Sequence, residues 1–252
     1  MTKRVFGDRT APPASSALAE RPSRTETVDH YLETIYCIAA EGETVRPSRL
    51  ADWLGVSAPT VSVGLQRLAR DGWIDIATDR SITLTAAGQS AASTIVRRHR
   101  VLERWLTDEL GFDWTTADIE ADRLASAMSE TVLARLDASM NHPTTCPHGN
   151  PIPGRQAPYG DLIALADLEP GTAARVERIS EIAEHEARQL LRQLADYGVQ
   201  TGTEVTVASS ADSPGSLDVI VDDRILTLST ATGRLLWVEV IPKHRAGPTG
   251  RR

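Results

Sequence analysis

A chain of 252 residues has room for two or three small domains. Its 41% hydrophobic and 24% charged residues are ordinary for a globular protein, and no apolar run of about 18 residues is present to cross a membrane. The net charge of −7 argues against a general nucleic-acid coat protein; specific DNA binding then requires that the basic residues cluster.

The start, Met1 to Asp8, has no long apolar core, so no signal peptide is expected. Cys37 and Cys146 cannot make a disulfide framework, and a cytoplasmic protein is expected. Residues 1–25, rich in Ala, Pro, Ser and Arg and without periodicity, read as a disordered arm. The spacing then predicts a helix from about Glu26 to Ala40, with Tyr31, Ile35, Ile38 and Ala39 in a buried stripe. His30 and Glu33 are three apart and share a face.

Residues 46–72 read as helix, tight turn, helix. Leu50, Ala51 and Leu54 give the first helix an apolar face, and Gly55 suits a left-handed stop. Ser57 can cap the second helix, with Pro59 tolerated in its first turn. Val61, Leu65 and Leu68 fall on one side of it. Thr60, Ser62, Val63, Gln66, Arg67 and Arg70 face out, a short, polar and basic surface of the kind that enters a DNA major groove. The bland alternative is a helical hairpin that merely packs. Residues 73–85 alternate and turn at Asp79–Arg80, as a two-stranded wing with Arg80 at its tip, placed to meet a phosphate. Residues 26–86 thus form a winged helix-turn-helix domain.

A long helix is predicted from Thr85 to about Leu110, with His99 and Glu103 four apart on one face. Helices from Thr115 to Met128, carrying Asp118 and Asp122, and from Ser129 to Met140 follow. Their apolar surface exceeds what the winged domain can cover, which suggests that residues 87–142 mediate a homodimer. Acidic residues concentrate here, and a cation site competes with a solvated acidic face. Residues 143–159 read as a Pro/Gly-rich linker. Cys146 and His148 alternate within it and invite a metal reading, but two ligands alone make a poor site, and an ordered turn is the alternative.

From about residue 160 to 242 short strands dominate: residues 162–166, 173–179, 204–207, 217–221, 224–228 and 235–240, interrupted by one helix from Ala187 to Tyr197. They read as a small barrel, followed by a flexible basic tail, 243–252. No nucleophile–base arrangement and no phosphate loop is evident, so neither an enzyme nor a small organic substrate is expected.

The motifs Ser57-x-Pro-Thr-Val-Ser62, Asp71-Gly72, Asp79-Arg-Ser81, Arg98-His-Arg100 and Gly149-Asn-Pro-Ile-Pro-Gly154 resemble the diphtheria-toxin-repressor family of iron- and manganese-dependent transcriptional regulators. The resemblance extends from about Thr25 to Ile241. It implies an α+β fold: an N-terminal winged helix-turn-helix, an all-α dimerisation and metal domain, and a C-terminal SH3-like, FeoA-type β-barrel. It implies DNA contacts at Ser57, Pro59, Thr60 and Ser62, and phosphate contacts at Arg67 and Arg80. Arg46 stands in for a basic family contact that falls on Pro47. Two neighbouring metal sites are implied. His99, Glu103 and Asp118 match the ancillary one, with Glu181 and Glu184 lent by the barrel and His185 competing for that role. His30, Glu33 and Asp122 match ligand positions of the primary site. Ala125 and Ser126 replace its remaining glutamate and histidine, so that site is either lost or rebuilt from His30, Glu33, Asp122 and water.

Oxygen and imidazole donors without thiolate favour Mn2+ or Fe2+ in a cell, while Zn2+, Co2+ or Ni2+ would bind in vitro. The expected function is a repressor of manganese or iron homeostasis genes, binding palindromic double-stranded DNA operators as a metal-loaded homodimer with no membrane partner. The alternatives are a regulator of the same fold that has lost metal control, and a metal-buffering or protein-interaction module.

Overall fold

The computed structural model describes residues 25–186, 188–208 and 215–242; the predicted arm before Thr25 and the tail from residue 243 lie outside the described residues. Helix α1 (Glu26–Ala40) is capped by Thr25, whose hydroxyl accepts from the Val28 amide. It buries Tyr31, Leu32, Ile35 and Ile38, while Ala39, expected in that stripe, is exposed. The buried line is shifted toward Leu32 because Thr34 also turns inward, where its hydroxyl donates to the His30 carbonyl at 2.8 Å.

Helices α2 (Pro47–Leu54) and α3 (Ala58–Arg70) follow. Gly55 stops α2 in the left-handed region at φ 63°, where a side chain would be strained. Strands β1 (Ile74–Ile76) and β2 (Ile82–Leu84) pair antiparallel in the wing. Leu50, Val61, Leu65, Leu68, Trp73 and Ile82 close one core with α1 and the start of α4 (Ala86–Asp108).

Helix α4 passes from that core into a second one. There Val101, Leu102 and Leu106 meet α5 (Trp114–Ala125), α6 (Glu130–Ser139) and Ile152. The first predicted strand shrinks to β3 (Ile163–Ala164) before a 3-10 turn, Leu165–Asp167. It is followed by β4 (Ala173–Ile179), β5 (Glu204–Val207), β6 (Ser216–Val221), β7 (Arg224–Ser229) and β8 (Leu236–Val240). These form one six-stranded sheet in the order β3-β8-β4-β5-β6-β7, with each pairing antiparallel. The helix expected at 187–197 is matched by α8 (Arg188–Asp196), and helical residues also precede it as α7 (Glu181–Glu186). A short α9 (Thr230–Gly233), capped by Ser229, precedes β8.

The largest departure from expectation is residues 143–159. Cys146, Pro147, His148, Gly149, Asn150 and Ile152 are buried, so this part of the expected linker packs as core, while residues 153–159 alternate between half-buried and exposed. It threads between the helices and the sheet. The Ile179 amide donates to the His148 carbonyl at 2.8 Å, and Asn150 Nδ2 donates to the Ile179 carbonyl at 3.0 Å. Gly149 sits at φ 85°, and a Cβ there would lie 2.0 Å from the Glu177 carbonyl oxygen. Glu177 is at a register shift in β4, which swells the strand toward the loop. Only glycine permits that approach.

Candidate metal centre and nucleic-acid face

The outward side of α3 is built as its residues dictate. Ser57 caps the helix, taking the Thr60 amide at 3.4 Å, and its hydroxyl meets the Thr60 hydroxyl at 2.8 Å. Val61, Leu65 and Leu68 are buried beneath, while Ser57, Pro59, Thr60, Ser62 and Arg67 are all exposed. Gly64 lies against Tyr31 of α1: a Cβ there would be 2.8 Å from the Tyr31 hydroxyl. That close approach fixes which side of α3 points away. Arg80 occupies the wing tip at φ 66°, in a turn where its amide donates to the Ala77 carbonyl at 2.9 Å. Arg46 donates to the Asp79 carbonyl at 2.8 Å, tying the start of α2 to the wing. The α3 residues expected to touch DNA are therefore all exposed, with Arg80 at the wing tip and Arg46, at the start of α2, bonded to the wing.

The expected metal ligands divide into two groups, both hung on α4. In the first, His99 Nδ1 lies 2.9 Å from Asp122 and Nε2 lies 3.5 Å from Asp118, so α5 supplies two carboxylates to one imidazole. Glu33, from α1, is close enough to His99 and Asp122 to feel both charges. Burial pushes the Glu33 carboxyl up to about 7, against a lowering pull from His99. Burial disfavours the His99 imidazolium, but Asp118, Asp122 and the nearby Glu103 outweigh it and hold its pKa well above the usual histidine value. His30, one turn before Glu33, is exposed and lies outside this group.

The second group is built on Glu103, one turn beyond His99 on the same helix. Its carboxylate meets His148 Nδ1 at 2.8 Å, and the Cys146 thiol completes a set whose donor atoms all lie within 4.8 Å of one another. All three side chains are buried, with Glu103 1% and His148 0% exposed. Trp114 closes one side, edge-on to the His148 ring at 4.7 Å. Glu103, expected beside His99, meets His148 while its charge still acts on the His99 imidazole. The alternation of Cys146 and His148 was the only sequence signal for this group. What two loop ligands lacked was a third donor from a helix 43 positions upstream of Cys146.

The donor chemistry of both groups fits a divalent cation. A carboxylate, an imidazole and a thiol converge in a space closed to water, where an ionised carboxylate is costly unless a positive charge accompanies it. The His99 group offers oxygen and imidazole only, as expected. The Glu103 group adds sulfur, which departs from the thiolate-free set and suits Fe2+ or Zn2+ better than Mn2+.

The sheet's expected ligands behave differently. The Glu181 carboxylate pairs with Arg100 and lies 3.9 Å from Cys37 Sγ; the Glu184 side chain lies outside the described residues. Arg100 also donates to the Pro151 carbonyl. Beside it, Arg178 forks onto Glu41 at 2.9 and 3.2 Å, and the Glu181 amide donates to the same carboxylate at 3.1 Å. These pairs join the C-terminal end of α1, α4 and the junction of β4 with α7. Sequence reasoning missed them, since partners 81 and 137 positions apart leave no local pattern.

Comparison with known proteins agrees with this layout. Residues 24–82 match the N-terminal DNA binding domain of the iron dependent repressors, residues 85–154 their metal binding and dimerisation domain, and residues 163–240 the FeoA domain. The chain is 37% identical over 196 residues to the iron-dependent repressor IdeR of Mycobacterium tuberculosis, covering 73% of this chain and 85% of that one. It is 36% identical over 191 residues to the diphtheria toxin repressor of Corynebacterium diphtheriae, covering 72% and 84%. A solved manganese-dependent transcriptional repressor in complex with manganese superimposes with a TM-score of 0.74 at 32% identity, covering 85% of this chain and 100% of that one. With its reading helix, its helical middle and its C-terminal sheet all matched in order, the chain belongs to the iron-dependent repressor family.

Proposed function

We propose that this protein is a divalent-metal-dependent transcriptional repressor, which binds a palindromic operator as a homodimer in the cytoplasm. The observation that carries the proposal is the position of Glu33. It rides on α1, which packs in the core of the DNA-reading domain, yet it feels the charges of His99 on α4 and Asp122 on α5. His99, Asp118, Asp122 and Glu33 would hold one cation; Glu103, Cys146 and His148 would hold a second. A bound cation supplies the positive charge that lets Glu33 ionise beside Asp122. With Glu33 ionised and drawn toward α5, α1 is held in one orientation against α4, and α3 is carried with it. Leu110, Phe112 and Val132 are exposed near α5 and α6 and offer apolar area for the two-fold contact.

Two of the relatives named above are an iron-dependent and a manganese-dependent repressor, and the His99 group suits either ion. Ala125 and Ser126, at the end of α5, offer no ligand, so the first group is rebuilt around Asp118 and Asp122. A gel-shift series on the protein's own promoter, in chelator and with Mn2+, Fe2+ or Zn2+ added, tests the proposal; a shift that requires the ion supports it.

A second reading is favoured by one observation. The Arg178–Glu41 and Arg100–Glu181 pairs already tie α1 to α4 and the sheet with protein charges alone. Under that reading the reading head is fixed without metal, and the same shift appears undiminished in chelator.

A further inference from the structure

Val63 is 69% exposed, the most exposed of the large hydrophobic residues described. It sits in the middle of α3, two residues on from the buried Val61 and roughly 200° further round the helix, so it crowns the outward side. Around it are Pro59 and Thr60 before, and Gln66, Arg67 and Arg70 after. A β-branched residue is a poor choice for a solvated helix surface, and it cannot donate or accept a hydrogen bond. Arg67 and Arg70 at the same helix's C-terminal end are 54% and 72% exposed and share one carboxylate, Asp71, so they leave positive charge for a polyanion on this side.

We infer that Val63 reads the 5-methyl group of a pyrimidine in the major groove, and so fixes one base of each operator half-site. The inference rests on the DNA-binding reading above. In the major groove, thymine alone among the four bases presents an apolar group, its C5-methyl; 5-methylcytosine presents the same group. An isopropyl side chain packs on that methyl. Set against an unmethylated cytosine it finds no methyl to cover, and set against a purine it meets only polar edge atoms. Apolar contact with the methyl is thus what selects the base.

The test begins by selecting an operator from random duplex DNA with the full chain and Mn2+. Each thymine is then replaced in turn by deoxyuridine, and binding is followed by fluorescence anisotropy. One position per half-site should lose about fourfold in affinity when its methyl is removed, the factor set by one buried methyl group. Val63→Ala should bind the thymine operator more weakly and ignore deoxyuridine at that position alone. Val63→Thr, which keeps one methyl, should retain part of the sensitivity. Val63→Gln should move the preference there toward adenine, whose N6 and N7 pair with a carboxamide. Cytosine placed there should bind poorly and recover on 5-methylation, which separates methyl reading from thymine reading. A selected operator in which no methyl effect depends on residue 63 overturns the inference while leaving DNA binding intact. Recovery of no selected sequence at all overturns the DNA-binding reading, and this inference with it.

Discussion

Glu103 Oε1 and His148 Nδ1 lie 2.8 Å apart, and both side chains are closed to solvent. One comes from the C-terminal third of a 23-residue helix and the other from a loop held against β4, so their meeting joins the helical domain to the sheet. With Cys146 in the same set, three donors of different softness share one dry space.

Cys146→Ser or His148→Ala should therefore remove one cation per chain. Equilibrium dialysis with Zn2+ or Fe2+ should show the stoichiometry falling from two to one, or the weaker affinity dropping by at least roughly 10- to 100-fold, the cost known for losing even an outer partner of a ligand. His99→Ala should remove the other cation and leave this one. Unchanged stoichiometry in both variants would rule out the pair of sites.

Gly149 is the hinge of that loop's fit. Gly149→Ala combines a strained φ with a contact of 2.0 Å to the Glu177 carbonyl oxygen. A loss of stability of roughly 2–4 kcal/mol is expected in urea unfolding, with weakened metal binding at Cys146 and His148. Wild-type stability in this variant would mean that the loop does not pack as described.

Stability of the metal-free protein should fall as pH rises. Glu33 titrates at about 7 in the folded state, above its ordinary value of 4.5. Between those values the folded chain keeps a proton that the unfolded chain has lost, so Glu33 costs at most about 3 kcal/mol by pH 8. His99, raised above 6.5, acts in the same direction: its stabilisation is complete below 6.5 and is lost as pH passes its folded value. Melting temperatures in chelator from pH 5 to 8 should show this decline, which Glu33→Gln should reduce and saturating Mn2+ should reverse. An identical decline in Glu33→Gln would remove Glu33 from the site.

The ion pairs around Glu41 make a separate prediction. Glu41 is 3% exposed in its side chain and Arg178 14%, so deleting one partner strands the other. Glu41→Ala should destabilise by about 3 kcal/mol and speed proteolysis between residues 155 and 162, while Glu41→Gln with Arg178→Met should recover much of the loss. Strict additivity of the two single changes in a double-mutant cycle would contradict the coupling.

How legible all this is from sequence depends on how local the cause is. The helix-turn-helix could be read because Gly55, Ser57 and the Val61–Leu65–Leu68 stripe each act within a turn or two of themselves. The strands of the C-terminal sheet could be read from alternation, but their order could not, since it depends on pairings such as β3 with β8. His99, Asp118 and Asp122 are legible as ligand candidates through the family resemblance, since the four-residue spacings of His99 with Glu103 and of Asp118 with Asp122 place each pair on one helix face and no more. That Glu103 also meets His148 depends on a loop residue 45 positions downstream, which no helical spacing records. The buried course of residues 144–152 was hidden for the same reason: prolines and glycines signal a turn whether or not a sheet is laid over it.

The central claim is that a cation held between α1, α4 and α5 sets the DNA-reading geometry. Fluorescence anisotropy of the selected operator, titrated with the full chain in Mn2+ and again in chelator, tests it most directly. The account predicts affinity about 5- to 150-fold higher with Mn2+, the span of ordinary coupling between two sites, and a gain abolished by His99→Ala. Equal affinity in the two conditions would contradict it.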